Sequence, residues 1–277
     1  MVRVEMLAVG KELLIGRTLN SNALWIGYRL ARLGSMLKEV TTVDDDLGEI
    51  GRALKETLAR RPDFLVVVGG LGPTPDDMTL KGVAGALGLA IRRNAAALGL
   101  IKEHYVKRGI SPVELTPARL KMARLPAGST PLRNDAGTAP GVRLEVRGTA
   151  IFCLPGVPAE MRSIFRGSVE PEVKARLGRI HRAYVRMKLV GVLESNLAPV
   201  LAKQLRRHPG AYIKSHPRGV REGVSRIELD VAVTGPDAKQ TGAEGEAIAR
   251  EMARAVVGLG GRVESVRGLK GGEQRWT

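Results

Sequence analysis

Phe64-Leu65-Val66-Val67-Val68-Gly69-Gly70-Leu71-Gly72-Pro73-Thr74-Pro75-Asp76-Asp77 is the stretch on which the fold turns. Its five leading apolar residues suit a strand buried on both faces, and the glycines behind them end it and free the backbone to turn. Upstream, Val2 to Val9 alternates as a strand and stops at Gly10. From Asn20 the residues Ala23, Ile26, Leu30 and Leu33 recur at helical spacing until Gly34. Met36 to Val43 reads as another strand, closed by Asp44-Asp45-Asp46, and Leu47, Ile50, Leu54 and Leu58 stripe a second helix. Strand–helix–strand–helix–strand with brief connections predicts a parallel α/β sheet, whose ligands bind beyond the carboxyl ends of the strands. The Gly69 loop sits at such an end.

Downstream, a helix is expected from about Met78, and residues 94–123 look helical through Leu98, Ile101, Tyr105 and Leu120. Leu132 to Leu154 mixes turns with short strands, and Pro158 opens a helix containing Met161 and Phe165. Around Gly178 the pattern restarts as strand (183–190), helix (195–206, with Ser195 as its cap), strands (211–215 and 224–234), helix (237–257) and strand (261–266). That order, β-α-β-β-α-β, is the ferredoxin-like arrangement of a smaller α+β domain. The expected division is 1–177 and 178–277.

The 277 residues are 44% apolar, enough for a core, and no apolar run approaches the length of a membrane span. Charges at Arg3 and Glu5 leave no room for a signal peptide, and Cys153 has no partner for a disulfide, so a cytoplasmic location is expected. The net charge of +16 would attract phosphates, acidic membrane surfaces or nucleic acid. The last hundred residues hold 18 basic and 10 acidic side chains, without a block of like charge. Only nine aromatic residues occur, a poor supply for a base-stacking platform.

Gly69, Gly70 and Gly72, followed by Pro73 and Thr74, offer main-chain N–H groups as a phosphate cradle. The loop has no lysine of its own and is neither a P-loop nor a Gly-x-Gly-x-x-Gly turn. Asp76 and Asp77 beside an anion cradle make sense when a divalent cation bridges carboxylate and phosphate. Of the three acids at 44–46, helix capping accounts for at least two, and the functional reading needs one to face the pocket. Glu12, Asn20 and Asn22 follow the first strand and suit a base or ribose, although Asn20 or Ser21 also suits a helix cap. Asn134 through Gly141, including Gly137, Thr138 and Pro140, reads as a turn with ligand-binding potential. Cys153 reads as a core thiol, and the four histidines show no metal-ligand spacing.

These segments together resemble the CinA (competence/damage-inducible protein A) family. The matching pieces are Gly10-Lys11-Glu12-Leu13-Leu14-Ile15-Gly16, Asn20-Ser21-Asn22, Val43 to Asp46, Gly69 to Asp77, Gly137 to Gly141 and Leu154-Pro155-Gly156-Val157-Pro158-Ala159-Glu160-Met161. Gly191 to Ser195 and Tyr212 to Pro217 resemble the family's second domain. The resemblance implies a first domain with the molybdopterin-binding fold of MoaB and MogA, a mostly parallel three-layer α/β/α sheet. It places active-site aspartates at Asp45 and Asp77, and implies metal-dependent hydrolysis of ADP-ribose at its pyrophosphate. Pro155, Gly156, Pro158 and Glu160 join the expected ligand-binding set. The family's nicotinamide-nucleotide deamidase activity belongs to a further domain and is not expected. Lys11 stands where many members have a small or polar residue, and Asp44 where many have Gly.

Three functions follow in order. The first is a metal-dependent nucleotide-pyrophosphate hydrolase of the ADP-ribose class, with Asp45 and Asp77, joined by Asp76, holding a divalent ion such as Mg²⁺. The second is a molybdopterin-binding or adenylating protein using the same pocket. The third is a nucleic-acid-associated module acting through Lys214, Arg218 and Arg221 of the second domain. The expected partners are a small nucleotide or pterin ligand and further copies of the chain as a homo-oligomer, with no membrane.

Overall fold

The computed structural model describes residues 2–268, which form two compact units divided after Gly178. Along the first unit run β1 (Val4–Val9), α1 (Lys11–Leu14), α2 (Ser21–Leu33), β2 (Leu37–Val43), α3 (Leu47–Ala59), β3 (Phe64–Val68), α4 (Thr79–Leu87), β4 (Ile91–Arg93), α5 (Ala95–Lys107) and α6 (Pro117–Met122). Then follow β5 (Arg124–Pro126), β6 (Thr130–Leu132), β7 (Gly141–Val146), β8 (Thr149–Leu154), α7 (Pro158–Ile164) and α8 (Glu170–Leu177). Six strands make one sheet in the order β2-β1-β3-β8-β7-β6. The first four are parallel, and β7 and β6 extend the sheet antiparallel.

Every residue of β1, β3 and β8 is buried, because helices cover both faces of the sheet. Alternation sends Leu7, Val9, Leu65 and Val67 to one face, against Ile50, Leu54, Val83 and Ile101. It sends Met6, Ala8, Val66 and Val68 to the other, against Ile26, Leu30, Met161 and Ile164. This is the three-layer α/β/α fold expected. Cys153 lies wholly buried in β8, and burial pushes its thiol up to about 12, as suits a core residue.

The local signals act where the sequence places them. Asn20 caps α2 by accepting from the Ala23 N–H at 3.0 Å, and Gly34 closes that helix with a left-handed φ of 84°. Asp46 caps α3 through the N–H groups of Gly48 and Glu49. Residues 94–123, read as one helical stretch, are instead α5 and α6 with an intervening loop. Pro112 and Pro117 have no N–H for an interior helical bond, and Thr116 caps the new start by accepting from Arg119. Phe165, expected in the helix opened by Pro158, falls in a π-helical turn, Phe165–Val169, between α7 and α8.

The second unit comprises β9 (His181–Val190), α9 (Glu194–Arg207), β10 (Tyr212–Arg221), β11 (Val224–Gly235), α10 (Ala238–Gly258) and β12 (Arg262–Gly268). Its antiparallel sheet runs β10-β11-β9-β12, the ferredoxin-like order. Met187, Leu229, Val231, Ile248 and Met252 form a separate core. Ser195 does not cap α9: Leu193 holds that position without a side-chain bond, and Ser195 lies inside the helix. Among the described residues no helix is long and apolar enough to cross a membrane.

Candidate functional site

The order of the parallel strands reverses between β1 and β3: from β1 the chain moves outward to β2, then returns to the other side for β3. Such a switch point leaves a crevice beyond the carboxyl ends of the two strands. Gly10 follows β1 there and Gly69 follows β3. Gly10 donates to the Val43 carbonyl at 3.0 Å, which ties the start of α1 to the end of β2. The adjacent Lys11 N–H donates to Asp45 Oδ2 at 2.9 Å.

The acidic run at 44–46 is thereby divided. Asp44 accepts from the Asp45 N–H at 2.8 Å, Asp46 caps α3, and Asp45 alone borders the crevice. Lys11 Nζ lies 3.5 Å from Asp44 Oδ2, so the charges of these two residues offset each other.

The glycine loop is only partly free. Gly69 spends its N–H on the Leu154 carbonyl at 3.0 Å, and Thr79 accepts none of the loop's amides but donates Oγ1–H to the Gly69 carbonyl at 2.7 Å. The N–H groups of Gly70, Leu71 and Gly72 have no acceptor among the described residues, so these three, not Gly69, are the available donors. Beyond them the loop closes on itself. Thr74 donates its N–H (2.9 Å) and its hydroxyl (2.6 Å) to Asp77 Oδ2, and the Asp77 N–H returns to the Thr74 carbonyl.

Lys121 of α6, which no motif singled out, holds this loop from below. Its ammonium donates to the carbonyls of Gly72 (3.0 Å), Asp77 (2.9 Å) and Thr74. Burial lowers its pKa, with Lys81 adding to that and Asp77 and Asp76 opposing it.

The crevice encloses about 560 Å³, within the ordinary range for small-molecule sites. Glu12, Asn20, Asn22, Asp45, Gly69, Gly70, Gly72, Pro73, Asp76 and Asp77 border it on one side. Thr138, Pro155, Gly156, Pro158 and Glu160 border it on another, and Tyr105 and Met122 were not foreseen. Asn22 donates to the Gly156 carbonyl at 2.7 Å, while its buried Oδ1 is left without a partner.

Five expected contacts lie off the crevice. Thr74 is turned toward Asp77. Asn134 is spent on its own loop and on α7, donating to the Ala139 carbonyl (2.8 Å) and to Glu160 Oε2 (2.6 Å) and accepting from the Ala136 N–H. Gly137 lies under the Glu160 carboxylate, Pro140 borders a neighbouring cleft of about 40 Å³, and Gly141 begins β7. Asn20, although it borders the crevice, has its carbonyl oxygen committed to the α2 cap.

Five carboxylates, Glu12, Asp45, Asp76, Asp77 and Glu160, share the crevice wall. Burial raises the Asp45 pKa, the Lys11 N–H lowers it, and Glu12, Asp44 and Asp76 push it further up. A carboxyl raised in the folded state contributes stability that is present at low pH and lost as pH rises through its folded value. Asp45→Asn is therefore expected to raise the melting temperature at pH 7 by about 2 °C, and the gain should shrink toward pH 3.5. Melting curves at both pH values check this; a lower melting temperature at pH 7, or an equal gain at both, contradicts it.

Among the described residues, no group of three or more His, Cys, Asp or Glu side chains could hold a metal ion. Asp45 Oδ2 and Asp77 Oδ2 are already accepting from the protein's own donors. A cation there would have to share those oxygens or use the second oxygen of each carboxylate, and no chemical step is routed through one.

A parallel sheet with an amide-and-carboxylate crevice at its switch point defines a class of small-ligand-binding α/β proteins. Residues 5–175 match the family described as probable molybdopterin binding domain, and the chain belongs to that family. It is 40% identical over 263 residues to a protein of Aeropyrum pernix, covering 94% of this chain and 96% of that one. A Metallosphaera sedula protein is 39% identical over 263 residues, covering 95% and 97%. The solved structure of the protein CinA from Thermoplasma acidophilum, described as of unknown function, is similar at 41% identity and a TM-score of 0.56. That match covers 61% of this chain and 96% of the other, and it bears out the CinA resemblance.

Proposed function

We propose that the first unit binds a phosphorylated pterin of the molybdopterin type in the crevice at the switch point. One observation carries this reading: unpaired N–H groups at Gly70, Leu71 and Gly72 share a crevice with the carboxylates of Glu12, Asp45 and Asp76. A phosphate accepts from the amides, and the amino and ring N–H groups of a pterin edge donate to a carboxylate. Opposed chemistry at two ends of one molecule accounts for acids beside an anion cradle without a resident cation. The family match supports the same ligand class. Magnesium enters this reading only with the ligand's own phosphates, since Mg²⁺ is commonly held by one or two carboxylates plus phosphate oxygens. Adenylyl transfer to the bound pterin phosphate is a finer form of the reading, and hydrolysis of ADP-ribose has no comparable support.

Thermal shift with molybdopterin, a simple pterin phosphate and ADP-ribose, each with and without Mg²⁺, tests the proposal. At a hundredfold excess over its dissociation constant, a pterin phosphate is expected to stabilise the fold by about 2.7 kcal/mol, visible as several degrees. No shift with either pterin overturns the reading. AMP release from ADP-ribose that falls in Asp77→Asn would restore hydrolysis in its place.

A further inference from the structure

The sheet of the second unit has helices of that unit on one face only, and on the other Lys188, Lys214, Tyr212, Arg262 and Arg267 are exposed around a buried centre of Val190, Asp230 and Ala232. α9 and α10 cover the face that carries Met187, Leu229 and Ile213, so alternation turns the intervening residues of each strand outward. On that outer face the register sets Tyr212 of β10, Ala232 of β11 and Tyr184 of β9 in one row. The two rings stand two strands apart, about 10 Å at ordinary strand spacing, with a methyl group between them. Scarcity of aromatics in the whole chain therefore misleads, because two of its four tyrosines are gathered here. The Tyr184 hydroxyl donates to Asp230 Oδ1 at 2.6 Å, which fixes that ring, and Tyr212 is 50% exposed.

The neighbouring rows are basic. Lys214, Asp230, Arg186 and Arg267 align in the second row, and Glu228 and Lys188 lie with His216 in the third. Arg226 and Arg262 flank Val190 in the fourth. The acids are already engaged, Asp230 by Arg186 at 2.7 Å and Glu228 by Arg218 at 2.6 Å. Lys188, Lys214, Arg262 and Arg267 have no carboxylate partner among the described residues. Of the residues named for a nucleic-acid contact from sequence, Lys214 belongs to this face, Arg218 reaches it from within the register shift at 217–220 through its ion pair to Glu228, and Arg221 lies past that shift.

We propose that this sheet face binds single-stranded nucleic acid, its phosphates on the unpaired cations and a base stacked on Tyr212. Coulomb attraction alone would serve any polyanion. The tyrosine row favours a single strand, whose unstacked bases reach an aromatic face, over a duplex or a lipid surface, which present none.

The test uses the full chain and fluorescence polarisation of a labelled single-stranded oligonucleotide of about 12 residues at about 50 mM salt. Four phosphates neutralised on four cations predict a slope of about −3 for log affinity against log salt. The paired exposed variant Lys188→Glu/Lys214→Glu is expected to weaken binding by about tenfold or more and to flatten that slope. Tyr212→Ala should weaken single-strand binding about fivefold while leaving the residual affinity for a duplex unchanged. Lys102→Glu, a charge reversal in the first unit, should change nothing. Ribo- and deoxyribo-oligonucleotides in parallel arms identify the sugar, and either supports the proposal. Absence of binding to both, binding that survives the double charge reversal, an affinity indifferent to Tyr212, or a preference for duplex or phosphatidylserine vesicles overturns it. Unchanged melting temperatures in the variants exclude unfolding as the cause of a loss.

Discussion

Gly69→Ala is expected to lower the melting temperature of the first unit by about 8–16 °C, the largest effect of any single methyl in the site. The cause is twofold and lies in the backbone. Gly69 has φ of +112°, a conformation that costs an L-residue heavily, and a Cβ built there falls 2.1 Å from the Val9 carbonyl oxygen. That oxygen belongs to the last residue of β1, which is tied to β2 through the Val9–Val43 pairing, so it has no side-chain freedom with which to yield. Relief requires β1 and β3 to part at the mouth of the crevice. Strain and overlap together cost about 4 kcal/mol. Gly99→Ala supplies the opposite sign: Gly99 lies inside α5, a Cβ there meets nothing within 4 Å, and alanine should raise the melting temperature slightly. Calorimetry of both variants measures the difference. A Gly69→Ala protein that melts within 2 °C of wild type would show, with about 2–4 °C lost per kcal/mol, that the strands part at little cost.

The features legible in the sequence are those whose physics is local. β3 could be bounded to the residue because burial on both faces leaves an unbroken apolar run, and Gly34 could be placed because only a left-handed cap ends a helix that way. β4 could not be seen, since three residues become a strand only by pairing with Arg124–Pro126, reached by way of two intervening helices. The break between α5 and α6 was present in Pro112, Thr116 and Pro117, but apolar spacing continued across it and concealed it. The register that gathers Tyr184 and Tyr212 is a property of paired strands, which composition cannot carry.

The same division runs through the crevice. Asp45 and the Gly69–Asp77 loop each sit at a strand end, so a correct sheet order brings them together without further information. How their groups are spent is decided by tertiary partners. Leu154 takes the Gly69 N–H, Thr74 takes one oxygen of Asp77, and Glu160 draws Asn134 away from any ligand. The motif thus marks the place, and the partners leave Gly70, Leu71 and Gly72 as its available donors.

Lys121→Met is expected to weaken ligand binding in the crevice by about 30-fold while lowering stability by only about 1 kcal/mol. The loop has an unusual problem of anchorage. Pro73 and Pro75 supply no N–H, so the peptide units after Gly72 and Thr74 can be tied down only through their carbonyls. Lys121 binds both of those carbonyls and that of Asp77, which uses all three ammonium protons and leaves none for a ligand. Its burial, which lowers its pKa, offsets part of what those bonds contribute, so the net stability change is small. The effect on affinity is larger because methionine fills the space but leaves residues 72–77 to be ordered by the ligand itself, at the cost in conformational entropy that preorganisation avoids. Titration of the variant with a pterin phosphate, alongside its melting curve, separates the two quantities. Wild-type affinity in a stably folded Lys121→Met protein would mean that the Thr74–Asp77 closure alone holds the three donors in place.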